Sequence, residues 1–117
     1  MKACPIDTTF KIIGKRFTAL ILRDMISLNE TRFNQFMNSI QGLNSKTLSH
    51  RLKEMEECGL IKREIIQQRP ISVAYFLTQK GKAVKPILDE MAKFSCRHLP
   101  EDVFMDGKPR ALESLSR

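Results

Sequence analysis

The sequence predicts a mainly α-helical domain with a small β-hairpin, arranged as a winged helix-turn-helix. Two short amphipathic segments are joined by a turn that contains Gly42, and the second segment carries hydrogen-bond donors on its outer side. Directly after Gly59 the pattern changes from helical to extended. Because a helix-turn-helix followed at once by a hairpin is the order of a winged helix, these observations predict that fold.

Length and charge narrow the class of protein. A chain of 117 residues suffices for one domain with its own core. The net charge of +7 and the pI near 9.6 suit a nucleic-acid partner, although an anionic membrane surface or an acidic protein would attract the same charge. We see no secretory signal and no apolar run that could span a bilayer, so we expect a cytoplasmic protein with no membrane partner.

The cysteines are few and widely separated. Cys4, Cys58 and Cys96 are an odd number and form no Cys-x-x-Cys pair, which argues against a disulfide framework and against a zinc site. We therefore expect reduced thiols, no metal and no cofactor.

The first two helices are predicted to build the core. A short helix is expected from Asp7 or Thr8 to Ile13, and a central helix from Arg16 or Phe17 to about Ser27. The apolar positions of the central helix are Phe17, Leu20, Ile21 and Leu28, widened by Leu22, Met25 and Ile26.

The third helix is predicted to follow a cap at Thr31. Phe33, Phe36, Met37 and Ile40 recur at i, i+3, i+4 and i+7, which is the spacing of one helical stripe. We interpret this stripe as core.

The fourth helix, residues 45–58, is the candidate reading helix. Leu48, Leu52 and Met55 form an inward stripe, Asn44 or Ser45 can cap the start, and Gly59 can supply the left-handed residue that ends it. Its outer donors are Lys46, Ser49, His50 and Lys53. We expect these donors to meet a DNA groove and the acidic residues Glu54, Glu56 and Glu57 to point away from it. Taken by itself, the segment also fits an ordinary amphipathic surface helix.

Two strands and a polar tip form the predicted wing. Residues 61–66 and 73–77 are rich in β-branched and aromatic side chains, and the tip between them includes Gln68, Arg69 and Pro70. Arg69 is either a minor-groove contact or a solvated hairpin charge, and the sequence favours neither.

A long helix is predicted from Gln79 to about Arg97, with Thr78 as its cap and a kink near Lys82 caused by Pro86. Its apolar stripe consists of Val84, Ile87, Leu88, Met91 and Phe94. Because the winged domain is already complete, part of this stripe lacks a partner, and a symmetric dimer would cover it.

Residues 1–98 are thus predicted as a DNA-binding and dimerisation domain. Residues 99–117 are predicted as a mobile, turn-rich tail with one helical turn at 111–116.

The chain resembles HxlR-type transcriptional regulators, a winged-helix group related to MarR regulators. The resemblance covers about residues 4–94. It is carried by Cys4-Pro5, Ile13-Gly14-Lys15-Arg16-Phe17, Leu20-Ile21-Leu22, Arg32-Phe33-Asn34, Leu48, Arg51-Leu52, Gly59-Leu60-Ile61, Tyr75-Phe76-Leu77-Thr78 and Gly81. The chain departs from the family pattern at Phe17, Lys46 and Ala74, where a tryptophan, a proline and an acidic residue are common. None of these differences removes a DNA-contacting group.

The resemblance implies a cytoplasmic homodimer that binds a pseudo-palindromic operator and dimerises through its terminal helices, which include Phe10. Some members of the family sense oxidants or electrophiles through an N-terminal cysteine, and Cys4 matches that position. The competing interpretation of Cys4 is an inert thiol at a frayed end.

The predicted site therefore combines base contacts with phosphate contacts on double-stranded DNA. Base edges are assigned to Lys46, Ser49, His50 and Lys53, and phosphates to Lys15, Arg16, Arg32, Thr47, Arg51, Lys62 and Arg63. The alternative is a winged-helix module whose basic face docks an acidic protein. An enzyme is disfavoured, since the only histidines are His50 and His98 and no phosphate loop or nucleophile elbow is present. No pattern specifies a small-molecule effector.

Overall fold

The computed structural model describes residues 1–111, which fall into two compact units, one from Met1 to Val84 and one that begins at Lys85. The N-terminal unit contains α1 (Pro5–Ile13), α2 (Thr18–Ser27), α3 (Phe33–Ser39), α4 (Ser45–Glu57), β1 (Ile61–Gln68), β2 (Ile71–Leu77) and α5 (Gln79–Lys82). The C-terminal unit contains α6 (Lys85–His98) and α7 (Pro100–Val103). The predicted class, mainly helical with one antiparallel hairpin after a helix-turn-helix, is confirmed.

The core of the N-terminal unit joins α2, α3, α4 and the start of β1. Its most deeply buried apolar side chains are Ile21, Leu22, Phe36, Leu48, Leu52, Met55 and Ile61. Each such side chain contributes about 1.5 to 3 kcal/mol of burial free energy. Three of the seven come from one face of α4, so the core fixes the rotation of that helix about its own axis.

The starts of three helices differ from the prediction. α1 begins at Pro5, which tolerates the first turn because no partner is needed there for its missing N–H. α2 begins only at Thr18, because Phe17 adopts a left-handed backbone with φ of 75°. α3 is capped at Arg32 and not at Thr31: the Thr31 carbonyl instead accepts the Tyr75 N–H of β2 at 2.8 Å.

The apolar face of α2 is narrower than predicted. Ile21, Leu22 and Met25 are buried, whereas Leu20 and Leu28 remain 38% and 57% exposed. The buried side of the helix also includes Asp24, which is 0% exposed. Its Oδ1 accepts a hydrogen bond from the neighbouring Arg23 Nε at 2.8 Å.

The wing is longer than predicted, and its turn is shorter. The strands pair from Ile61 opposite Leu77 to Gln68 opposite Ile71, with a bulge between Ile65 and Gln67. Because residues 67 and 68 belong to β1, only Arg69 and Pro70 connect the two strands.

The single helix predicted from Gln79 to Arg97 is wrong, because the chain forms α5 and α6 with a break at residues 83–84. In an unbroken helix the residue at position 86 would donate to the carbonyl of Lys82, and a proline has no N–H and clashes with that carbonyl. Pro86 is instead the second residue of α6, where no such donor is required.

The boundary between the compact units lies between Val84 and Lys85. The predicted division at residue 98, between a DNA-binding and dimerisation domain and a tail, stays a prediction. Residues 112–117 of the predicted tail, with most of its predicted helical turn, lie outside the described residues. Within residues 1–111, no helix has the length and apolar character needed to cross a membrane.

Candidate nucleic-acid interface

Both ends of α4 are fixed by local hydrogen bonds. At the start, the Asn44 side-chain oxygen accepts the Thr47 N–H at 2.9 Å. At the end, Gly59 has φ of +78°, and the Leu60 N–H donates to the Met55 carbonyl at 2.9 Å. This is a Schellman arrangement built on the left-handed Gly59 that the sequence predicts, and it sets where the helix stops.

The two faces of α4 separate apolar from polar groups as predicted. Leu48, Leu52 and Met55 are at most 2% exposed. The four proposed base-reading side chains are all exposed on the opposite side: Lys46, Ser49, His50 and Lys53. Together with the half-buried Thr47 and Arg51, they line one shallow surface depression. Every member of this surface carries a hydrogen-bond donor.

Glu54 lies at the centre of an ionic cluster on the edge of this surface. Its Oε2 accepts a hydrogen bond from Lys15 Nζ at 2.7 Å and lies 3.4 Å from His50 Nε2. Its Oε1 accepts a hydrogen bond from Arg51 Nη1 at 3.0 Å. Arg51 Nε in turn donates to the Arg16 carbonyl at 2.8 Å. The cluster therefore joins α4 to the connection between α1 and α2.

This arrangement corrects the expectation that Glu54 points away from the donor surface. The Lys15 hydrogen bond, followed by the Arg51 contacts, lowers the pKa of the Glu54 carboxyl against the opposing effect of burial. Glu54 was missed as a site residue, although its spacing of three and four residues from Arg51 and His50 is the local signal for such pairs. Its pairing with Lys15, far away in the sequence, has no local signal.

Arg51 also has a structural role that the sequence did not predict. Its side chain is only 19% exposed, and its guanidinium bonds both Glu54 and the Arg16 carbonyl. It therefore braces α4 against the α1–α2 connection, and its contact with a phosphate stays a prediction. The Arg16 guanidinium remains exposed and lies 4.8 Å from the Phe17 ring centroid.

The remaining proposed cationic phosphate contacts lie on the wing or contact it. Arg32 is exposed and donates from Nη2 to the Ser72 hydroxyl of β2. Lys62 and Arg63 are adjacent exposed residues on β1, and Lys62 Nζ lies 3.1 Å from Glu64 Oε1. The structure thus ties Arg32 to the wing through a side-chain contact that the sequence did not indicate.

The wing tip is polar at its turn and apolar beside it. Gln68, Arg69 and Pro70 are all exposed, and Gln67 Nε2 donates to the Arg69 carbonyl at 3.0 Å. Next to the turn, three exposed isoleucines were not part of the predicted site: Ile65, Ile66 and Ile71. The sequence signal that could have indicated them is their position beside the turn, near the end of a β-branched run.

The terminal helices carry exposed apolar side chains. On α6, Ile87, Met91 and Phe94 are 38%, 49% and 58% exposed, and Leu88 is half-buried. On α1, Phe10 is 66% exposed. Val84 differs from the rest of the predicted set, because it is only 6% exposed and precedes α6. Its side chain is therefore not available to a second subunit.

The three thiols have different environments. Cys4 is exposed at the N-terminus of α1, where its carbonyl accepts the Thr8 N–H at 2.9 Å. Cys58 is half-buried and Cys96 is buried. Cys4 is thus the most accessible of the three to a reagent in solution.

One face of α4 is buried in the core, and the other presents hydrogen-bond donors near a hairpin that carries cations. This combination defines the class of the protein. It is a winged helix-turn-helix transcriptional regulator that binds DNA, and not an enzyme. Residues 12–103 match the HxlR-like helix-turn-helix family, and the chain belongs to that family.

Individual relatives agree with this assignment. The HTH-type transcriptional regulator YvaP of Bacillus subtilis (strain 168) is 38% identical over 93 residues, covering 79% of this chain and 85% of that protein. The reduced form of YodB from B. subtilis superimposes with a TM-score of 0.69 at 30% identity, covering 80% of this chain and 91% of that one. The redox regulator HypR in its reduced form superimposes with a TM-score of 0.72 at 29% identity, covering 79% of this chain and 90% of that one.

Proposed function

We propose that the protein acts as a homodimer on a pseudo-palindromic DNA operator and places α4 of each subunit in the major groove. The observation that carries this proposal is the exposure of four donors on one side of α4 while the other side is locked into the core. Arginine, lysine, histidine and serine can each bond base edges in a major groove. The proposed base contacts are Lys46, Ser49, His50 and Lys53.

The phosphate backbone would be held by groups around α4. The proposed contacts are Lys15, Arg16, Arg32, Thr47, Lys62 and Arg63, with Arg51 now assigned as a brace. All but Thr47 are exposed cations, which suits counterion release from the duplex. The wing tip, Gln68 to Pro70, would lie beside the adjacent minor groove, where an arginine gains from the strong negative potential.

Dimerisation would bury the apolar side chains of the terminal helices. Ile87, Leu88, Met91 and Phe94 of α6 form a surface that is costly to leave in water, and Phe10 is an exposed apolar residue on α1. A twofold dimer presents identical surfaces to each other and matches the symmetry of an inverted repeat. A regulator of this kind would act in the cytoplasm, where it meets DNA.

Cys4 is the proposed redox-responsive residue. Its thiol is the exposed one. YodB has been crystallised in reduced and diamide-treated forms, and HypR in reduced and oxidised forms, so regulators of this family include proteins studied in two redox states.

Selection of bound fragments from a random duplex pool tests the proposal. We expect an inverted repeat whose half-sites are about 34 Å apart, because two reading helices of a dimer reach successive major grooves. Recovery of unrelated sequences would contradict the proposed function. Repeating the selection with diamide-treated protein should weaken recovery, and a Cys4→Ser variant should be insensitive. Equal sensitivity of the variant and the wild type would rule out Cys4 as the sensor.

A further inference from the structure

We propose that Glu54 is a positioning residue of the DNA-binding surface, which holds Lys15 and His50 in the arrangement that DNA meets and anchors the brace Arg51. This inference rests on the proposed function and assigns a role to a residue that carries the wrong charge for a phosphate contact. Glu54 need not touch DNA to act, because it fixes side chains that are proposed to do so.

The hydrogen bonds of Glu54 cross between two parts of the N-terminal unit. One carboxylate oxygen accepts from Lys15 at 2.7 Å, in the connection between α1 and α2. The other accepts from Arg51 at 3.0 Å, on α4 itself. Since Arg51 also donates to the Arg16 carbonyl at 2.8 Å, two independent links run from the reading helix to the same short connection. Such links fix both the side chains and the backbone between them.

Solvent exposure divides the cluster into an inner and an outer part. The side chains of Glu54 and Arg51 are 24% and 19% exposed, so water screens their interaction only partly. The side chains of Lys15 and His50 are 47% and 66% exposed and retain access to a ligand. The inner pair can therefore orient the outer pair without occupying the outer surface.

Without the carboxylate, the cations of the cluster would repel one another. Lys15 is a flexible side chain that would regain its rotamer freedom and would have to be ordered again on docking. An ion held in place before binding loses less entropy when DNA arrives. Removal of Glu54 should consequently weaken recognition of the correct operator, even though it removes a negative charge that repels DNA.

Glu57 supplies the matched control, because it lies on the same helix and carries the same charge. Its side chain is exposed and makes no hydrogen bond or ion pair within the part of the chain that the structure describes. Glu57→Gln therefore reports the simple effect of removing one negative charge from α4. Glu54→Asp keeps the charge but shortens the reach to Lys15 by one methylene.

The test measures affinity for the selected operator and for a random duplex of equal length, by fluorescence anisotropy well below the melting temperature. Glu54→Gln should weaken operator binding about tenfold while random-duplex binding stays within about twofold, because Glu54 also positions the proposed base contact His50, 3.4 Å away, and base contacts act only on the correct sequence. Glu54→Asp should also weaken operator binding more than random-duplex binding. Glu57→Gln should strengthen binding to both duplexes by up to about twofold, because less like-charge repulsion acts on any sequence.

Three results would overturn the inference. In the first, Glu54→Gln behaves as Glu57→Gln does and leaves the operator-to-random ratio unchanged. In the second, both affinities fall together with the melting temperature, which indicates a structural role only. In the third, Glu54→Asp binds as the wild type does, which indicates that charge and not position matters. Failure of the wild-type protein to prefer any duplex would instead contradict the proposed function.

Discussion

Replacing both Lys46 and His50 by alanine is expected to reduce operator affinity by about 2 to 6 kcal/mol, because each lost base contact costs about 1 to 3 kcal/mol. Both side chains lie on the exposed face of α4, and neither contributes to the buried stripe of Leu48 and Leu52. The variant should therefore keep the melting temperature of the wild type within about 2 °C, as surface substitutions usually do. Anisotropy titrations on the selected operator and on a random duplex measure the effect.

The control for this variant is Lys82→Ala on α5, which removes an exposed positive charge that is not assigned to the site. It should weaken binding to both duplexes slightly and to the same extent. If the double variant loses affinity equally for operator and random DNA, Lys46 and His50 contact phosphates only. Unchanged affinity on both duplexes would show that α4 does not meet DNA.

Replacing Met91 and Phe94 by glutamate is expected to give a monomer. The two side chains are 49% and 58% exposed, so the change introduces no buried charge into a single subunit, whereas a dimer interface would have to bury four new carboxylates. Operator affinity should fall by about 100-fold or more, because a monomer loses the high effective concentration of the second reading helix. Sedimentation velocity reports the oligomeric state, and anisotropy reports the affinity.

Leu28→Glu is the matched control for dimerisation. Leu28 directly follows α2 and is 57% exposed, so it undergoes the same chemical change at nearly the same exposure, outside the proposed interface. This variant should remain dimeric and bind the operator as the wild type does. A double variant that sediments as a dimer would contradict the assignment of α6 to the interface, and a monomeric wild type would contradict the homodimer.

The sequence predicted those features of α4 that depend on neighbouring residues. The buried stripe, the Asn44 cap and the Gly59 stop all arise within a few positions of one another, where periodicity and capping preferences act. The same local rules located the hairpin. They also predicted that Pro86 disturbs the helix, but they did not distinguish a bend from the complete break between α5 and α6.

The features that sequence reasoning missed depend on contacts between distant residues. Glu54 meets Lys15 only after α1, α2 and α4 have packed together, so no window of sequence contains both partners. The bracing role of Arg51 was missed for the same reason, because its acceptor is the Arg16 carbonyl. Asp24 reads as a polar surface residue of a helix, yet the surrounding core buries it completely.

The salt dependence of operator binding by the wild-type protein tests the central claim most directly. Five proposed cationic phosphate contacts in each subunit, at about 0.9 per neutralised phosphate, give a slope of log affinity against log salt between about −4.5 and −9 for a dimer that engages half to all of them. A slope in this range is the result expected if the face of α4 and the wing neutralise phosphates. A nearly flat titration, together with tight binding to an acidic peptide, would show that this surface docks a protein and would contradict the account.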